Sequence, residues 1–303
     1  MDIKSVRHYL SLLHMQQDYQ ATHVVCEICN SAACLTLLTH IRGPQENAVA
    51  LPVAGCTQCG HIYQAYRFDA QFYQDYYDKF YRLNLFGDGT PDKSFFLDQI
   101  KRGDYLYKSL SQWLPEQGRL IDVGCSAGGL MIPFAKRGWQ VKGNDPDSAY
   151  AQYGKTLGLN IDTVSAEEMT ADEQADLIII NGSLEHVYDV NRVMEKCQAM
   201  ASTRGLLLIE GRALGYGMQQ GYLTHNHRRF LTPHSIELLM LKHGWTPILT
   251  TETPLCGPTR PGAVFVLGRF GSVDTSAFSA VCAAGRDQLH QFYRPWFETA
   301  GAA

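Results

Sequence analysis

At 303 residues, 45% of them hydrophobic and 18% charged, the chain has room for about two domains and can bury a core. A net charge of −4 and a pI near 6.2 argue against a general nucleic-acid binder. No apolar run reaches bilayer-spanning length, and residues 1–20 mix His8, His14, Gln16, Gln17 and Asp18 with their apolar residues. Neither a membrane segment nor a signal peptide is expected, which makes a cytoplasmic protein the default.

Residues 3–20 carry Ile3, Val6, Tyr9, Leu10, Leu13 and Met15 at near-helical spacing, so residues 1–22 are expected to form an N-terminal helix. Five of the nine cysteines lie between positions 26 and 59; the odd count without a secretion signal disfavours a disulfide framework. Cys26 and Cys29 form one Cys-x-x-Cys pair, Cys56 and Cys59 another, and Asn30 and Gly60 supply a turn residue after each. Two such pairs are the spacing of a zinc ribbon: each knuckle aims two thiolates the same way, and two knuckles complete a tetrahedron. A redox dithiol would need one pair, and Cys34 falls outside the knuckle spacing. A fully ligated site leaves no open position, so the zinc is expected to be structural. Residues 61–82 are crowded with aromatics and read as a helix docking the ribbon, taken as residues 23–82, on the main domain.

Residues 83–94 read as a linker and 95–114 as a helix. The chain then turns on residues 118–147. A short apolar strand with Asp122 inside it leads to a glycine-rich turn from Gly124 to Gly129, a helical stretch, and a second strand ending at Asp145. Glycines let a ligand approach the backbone, and a helix start offers free N–H groups, so the unit is expected to bind a nucleoside. An ordinary βαβ unit lacks a reason for the two acids, and dinucleotide binding needs a Gly-x-Gly-x-x-Gly turn that is absent.

These motifs resemble those of the class I S-adenosylmethionine-dependent methyltransferases: residues 121–129 match the first motif, and Asp145 with Pro146 the acid that holds the ribose hydroxyls. The resemblance implies an α/β fold, a seven-stranded Rossmann-like sheet in the order 3-2-1-4-5-7-6, over residues 95–272. It implies cofactor contacts from Asp122, Gly124, Cys125, Ser126, Gly128, Asp145 and Pro146. Ala166 and Glu167, after strand three, match the adenine position, although a capping box from Ser165 to Glu168 fits equally well. Strand four, 176–181, leads into Asn181-Gly182-Ser183, expected beside the methionine moiety, and Leu184-Glu185-His186-Val187 resembles the fourth motif of small-molecule methyltransferases, opening a helix.

The two Cys-x-x-Cys pairs followed by Tyr76, Tyr77 and Tyr81 resemble the zinc-module deoxysugar C-methyltransferases, which implies that one of these tyrosines reaches the active site. After strand five, a glycine-spaced loop suggests a substrate lid. Its Tyr222 and His225-Asn226-His227 resemble a Tyr-x-x-His-Glu-His segment of that subgroup, with Asn226 where those proteins have Glu. His225 is the expected base, His186 or His227 the runner-up, and Tyr77 and Tyr222 the residues that position the acceptor. Arg212, Arg228, Arg229 and Arg260 fall on loops at one end of the sheet and suggest an anionic handle such as phosphate. Two antiparallel strands, 246–251 and 263–270, and a helical tail over 273–303 finish the chain. The expected function is methyl transfer to a small-molecule acceptor at carbon or oxygen, with S-adenosylmethionine and structural Zn2+ as cofactors. No nucleic acid or membrane partner is expected, and the chain would be a monomer or homodimer. A zinc-ribbon RNA- or protein-modifying methyltransferase and a non-catalytic cofactor-binding protein are the alternatives.

Overall fold

The computed structural model describes residues 3–15, 19–42, 48–81, 91–212, 223–260 and 262–300. The expected linker over 83–94 thus falls largely outside the described residues, as do Tyr222 and most of the glycine-spaced loop.

The centre is a seven-stranded sheet: β1 (Arg119–Val123), β2 (Gln140–Asn144), β3 (Ile161–Asp162), β4 (Ala175–Asn181), β5 (Ala201–Arg212), β6 (Trp245–Thr251) and β7 (Ala263–Phe270). Their spatial order is 3-2-1-4-5-7-6, with β7 antiparallel to both its neighbours. The unbroken run Leu177, Ile178, Ile179 and Ile180 is fully buried, as a strand covered on both faces must be, and it places β4 at the middle. Strand order reverses between β1 and β4, so ligands belong at the carboxyl ends of those two strands.

A second sheet of four strands runs Arg229–Phe230, Ile62–Gln64, Val53–Cys56, Cys34–Leu38. Its last two strands are the ribbon hairpin, with Cys34 opposite Cys56. Its first strand comes from the segment after β5, so the expected lid loop is in part a strand added to the ribbon, pairing Arg229 with Tyr63. The aromatic segment is likewise not one helix. Residues Ile62–Gln64 and Tyr66–Phe68 are strands, the latter pairing with Ala21–His23, and only Ala70–Asp75 is α-helical before a π-helical turn over Tyr76–Phe80. The N-terminal helix accordingly stops at Leu12, well short of residue 22.

Packing also ignores the expected domain limits. One core cluster joins ribbon residues Cys26, Ala54 and Tyr63 to Ile178, Leu239 and Trp245; another joins Tyr9 and Leu13 to Phe68, Phe72, Leu289 and Phe297. The N-terminal helix and the C-terminal helices, Thr275–Gln288 and Arg294–Ala300, therefore share a core with the ribbon. At Gly60 (φ +78°) a Cβ would lie 2.1 Å from the Gly285 carbonyl oxygen, so the second knuckle and this tail meet backbone to backbone.

Candidate active site

The glycine-rich turn grips the end of β2. Gly124 and Cys125 both donate their N–H to the Asn144 carbonyl, at 3.0 and 2.9 Å. Ser126, at φ +56°, donates its N–H to one Asp145 oxygen at 2.7 Å, and Asp147 donates to the other at 2.9 Å. Asp145 therefore organises the turn it was expected to serve. Gly124 sits at φ +74°, and a Cβ there would come within 2.6 Å of the Ser183 Cβ. That close approach brings the tip of β4 against the tip of β1, and the Ser183 hydroxyl closes it by donating to the Val123 carbonyl at 2.8 Å. Asp122 is buried beneath the turn; burial, then the neighbouring Asp145 charge, push its carboxyl up to about 7. At the end of β4 the buried Asn181 Oδ1 has no hydrogen-bond partner among the described residues, an acceptor awaiting a donor. Gly124, Ser126, Gly128, Asp145, Asn181, Gly182 and Ser183 thus line one end of the sheet.

Two expected side-chain contacts differ. The Cys125 side chain is packed into the core below the turn, so only its backbone can face a ligand. Glu167 accepts N–H bonds from Tyr188 and Asp189 at 2.6 and 3.0 Å, capping the approach to the Val190–Ala199 helix, so its carboxylate is not aimed at an adenine edge. Ala166 is buried and Pro146 exposed.

The Leu184-Glu185-His186-Val187 segment forms a turn, and the helix begins only at Val190. That turn carries His186 three residues beyond Ser183, with its N–H donated to the Ser183 carbonyl. Its Nδ1 lies 3.0 Å from the Asn226 carbonyl oxygen and 3.0 Å from the Tyr77 hydroxyl, which donates to the same carbonyl at 3.3 Å. A carbonyl only accepts, so Nδ1 carries the proton and the neutral ring has its lone pair on Nε2. The His227 ring centroid is 4.7 Å away. Burial, then the His227 charge, hold the His186 imidazole well below its usual value and therefore neutral at pH 7. The π-helical turn sends Tyr77 here and buries Tyr76 elsewhere.

Tyr76 goes to His225. That imidazole is 4% exposed, its centroid 4.6 Å from Tyr76 and 5.7 Å from Phe72, and Tyr9 hydrogen-bonds its Nδ1. Burial, then His227 and Arg228, push it down to about 3. What separates the histidines is their surroundings: His225 is packed into an aromatic core with its Nδ1 taken by Tyr9, whereas His186 with His227 and Tyr77 form the polar group at the sheet's carboxyl edge, so the first-choice base of the sequence gives way to His186. Neighbours in sequence do not predict this division, because residues 224–230 are too irregular for a period.

The arginines also divide. Arg229 is fully buried and bonds Glu27 through Nε at 2.5 Å, and the Leu184 and Val187 carbonyls through Nη1 at 2.5 and 2.8 Å. Glu27 lies between the two cysteines of the first knuckle. It also takes Arg67 Nη1 at 2.7 Å and His61 Nε2 at 3.3 Å. Burial pushes its carboxyl up, but Arg229, Arg67 and His61 together outweigh that and hold it well below the usual range. Gln64 Nε2 reaches the Thr224, His225 and His227 carbonyls at 2.8, 3.2 and 2.8 Å. The ribbon therefore fixes both segments that carry His186 and His227. Arg229 is a structural tie, and the expected anionic handle loses it. Arg260 pairs with Glu210 at 3.9 Å, and the Arg212 side chain is outside the described residues. Sequence reasoning missed Glu27, Gln64 and Arg67; a charged residue inside a knuckle was the one available signal.

The four thiols of Cys26, Cys29, Cys56 and Cys59 lie within 4.8 Å of one another, with Cys26–Cys59 and Cys29–Cys56 sulfur distances of 3.5 Å. Four sulfurs about 2.3 Å from a common centre in a tetrahedron have nearly this spacing, so the set fits Zn2+.

Residues 100–250 match a family described as methyltransferase domain. Among curated proteins, the chain is similar to a ubiquinone biosynthesis O-methyltransferase of Rhodopseudomonas palustris (strain HaA2), 27% identical over 156 residues, 45% of this chain and 61% of that protein. One of the same name from Nitrobacter winogradskyi is 30% identical over 137 residues, 39% of this chain and 52% of that protein. The chain thus spans about half the length of the curated relatives it matches. Among solved structures, the Burkholderia thailandensis 1,6-didemethyltoxoflavin-N1-methyltransferase aligns at TM-score 0.48 and 16% identity over 67% of this chain and 87% of that one.

Proposed function

We propose that this chain, which carries a class I S-adenosylmethionine-dependent methyltransferase domain, transfers a methyl group to a hydroxyl of a small-molecule acceptor, with His186 as the base. The observation that carries the reading is the His186–Tyr77–Asn226 arrangement, three residues from the Ser183 that seals the glycine-rich turn. Oxygen is favoured over carbon because the relatives named above are O-methyltransferases.

When bound, S-adenosylmethionine supplies an electrophilic methyl for in-line displacement. Asp145 and the backbone of Gly124 to Gly128 would hold its nucleoside, and Asn181 to Ser183 its methionine end. The fit rests on the Gly124 cradle, where Ser183 packs so closely that a Cβ would collide with it, and on the Asn181 acceptor, unpartnered among the described residues. The chain's own work is orientation and proton removal. The Asn226 carbonyl fixes His186 in the tautomer whose Nε2 can take the acceptor proton, while Tyr77 locks the ring plane. Packing on the ribbon keeps both segments in register. Cys26, Cys29, Cys56 and Cys59 are proposed to hold one structural Zn2+, and a cytoplasmic location is part of the same reading.

Labelled methyl transfer from S-adenosylmethionine to pooled catechols and nucleotide-linked sugars tests the proposal. His186→Gln should lower kcat by about 10²–10⁴-fold with S-adenosylhomocysteine affinity retained. An undiminished rate in that variant removes His186 from the role. Metal analysis should find one zinc per chain, lost when Cys26 and Cys29 are both changed to Ser.

A further inference from the structure

Arg228 is 1% exposed, and no carboxylate forms a salt bridge with it among the described residues. Its guanidinium carbon stands 3.4 Å from the Tyr73 ring centroid and 5.6 Å from that of Tyr188. Its Nε and Nη1 are buried without a hydrogen-bond partner among the described residues. Backbone direction separates it from Arg229: the two side chains leave the chain on opposite sides, one to Glu27 and the other to Tyr73. The Glu185 carbonyl accepts the Arg228 N–H at 3.0 Å. Glu27, the carboxylate that neutralises this region, is already shared by Arg67 and Arg229.

A buried guanidinium with unfilled donors is costly unless an anion completes it. The surroundings of Arg228 are the acceptor face. Tyr73 and Tyr77 lie on adjacent turns of the aromatic segment, and Tyr77 reaches His186. Tyr188, 41% exposed, opens these surroundings to solvent. We infer that Arg228 is the anchor for an oxyanion of the acceptor, a carboxylate or a phosphate attached to a ring that stacks among Tyr73, Tyr77 and Tyr188. The reactive hydroxyl would then be held toward His186 by a charge-assisted hydrogen bond at the far end of the same molecule. This rests on the reading of the His186 face as the acceptor site and adds the substrate class: aromatic or ring-bearing, and anionic. It also explains why Arg228 is left without the carboxylate that Arg229 and Arg67 share.

The test is calorimetric titration of the S-adenosylhomocysteine-loaded protein with benzoate, phenyl phosphate and the neutral benzamide. At least one anion should bind about tenfold or more tightly than benzamide, and Arg228→Met should abolish that preference. The stronger of the two anions tells carboxylate from phosphate. Equal binding of benzamide, a preference that survives in Arg228→Met, or no binding of any probe while S-adenosylhomocysteine still binds would each overturn the inference. Failure of S-adenosylhomocysteine itself to bind would instead overturn the methyltransferase reading. If the Met variant does not fold, Arg228→Lys, which keeps a charge but loses the planar donor set, should still weaken the preferred anion several-fold without changing S-adenosylhomocysteine affinity; unchanged anion affinity there also counts against the anchor.

Discussion

Glu27→Gln should be among the most damaging single changes in the chain, although Glu27 touches no ligand. Its carboxylate lies 2.5 Å from Arg229 Nε, 2.7 Å from Arg67 Nη1 and 3.3 Å from His61 Nε2, with 11% of its side chain exposed. The amide keeps the shape, removes the charge, and turns an N–H2 toward donors that need acceptors. Two guanidinium groups, at 0% and 6% exposure, are then buried without compensation. Breaking a buried pair from one side costs about 3–5 kcal/mol, against about 0–1 kcal/mol for a surface pair such as Lys79–Asp75, whose lysine is 58% exposed. Urea unfolding of the zinc-replete protein, with Lys79→Ala as the surface control, gives both numbers on one scale. The low Glu27 pKa also means its contribution is complete above the unfolded carboxyl value near 4.3 and is lost as pH falls through the lower folded value. A Glu27→Gln loss of about 1 kcal/mol or less would refute the claim that this carboxylate ties the ribbon to the active-site segments.

Three further outcomes follow from the same geometry. Gly124→Ala places a Cβ 2.6 Å from Ser183 at φ +74°, so S-adenosylhomocysteine affinity should fall by about tenfold or more with far-UV circular dichroism unchanged; wild-type affinity would contradict the cradle. His225 is held neutral down to about pH 3 in the fold but takes a proton near 6.5 when unfolded, so its contribution to stability is complete above pH 6.5 and declines below it. The decline is about 1.4 kcal/mol per pH unit, or about 2–3 kcal/mol by pH 4.5, and His225→Phe should flatten that part of the stability–pH curve; an unchanged slope between pH 6.5 and 4.5 would show the ring is not buried neutral. Tyr77→Phe removes the hydroxyl that braces His186 and should lower kcat by about tenfold with little change in cofactor affinity; equal kcat would show that Asn226 alone orients the ring.

The sheet was legible because its signals are local. The apolar run of β4, the glycines after β1 and the acid after β2 each dictate a backbone conformation within a few residues, while the order of the seven strands came from the family these motifs resemble and not from any local signal. The knuckle cysteines were legible for the same reason, since two residues fix the spacing of each pair. The choice among histidines was not legible. His225 and His227 lie two apart in a segment with no repeat, and their fates differ because Tyr9 and Tyr76, from distant parts of the chain, close around one and not the other. The aromatic segment misled for a related reason: residues 62–68 have aromatics at spacings a helix or a strand could use, and pairing with Val53–Cys56 and Ala21–His23 decided for strand. Arg229 resembled a substrate contact on charge alone; its partner, Glu27, lies some two hundred positions earlier in the sequence.

The central claim is that the turn between Asp122 and Asp145 holds S-adenosylmethionine at the edge where His186 waits. Calorimetric titration of S-adenosylhomocysteine into the wild-type chain and Asp145→Ala tests it most directly. The expected result is one saturable site per chain in the wild type, weakened by about tenfold or more in the variant. No saturable binding by the wild type at millimolar ligand, or equal affinity in a folded Asp145→Ala variant, would contradict it.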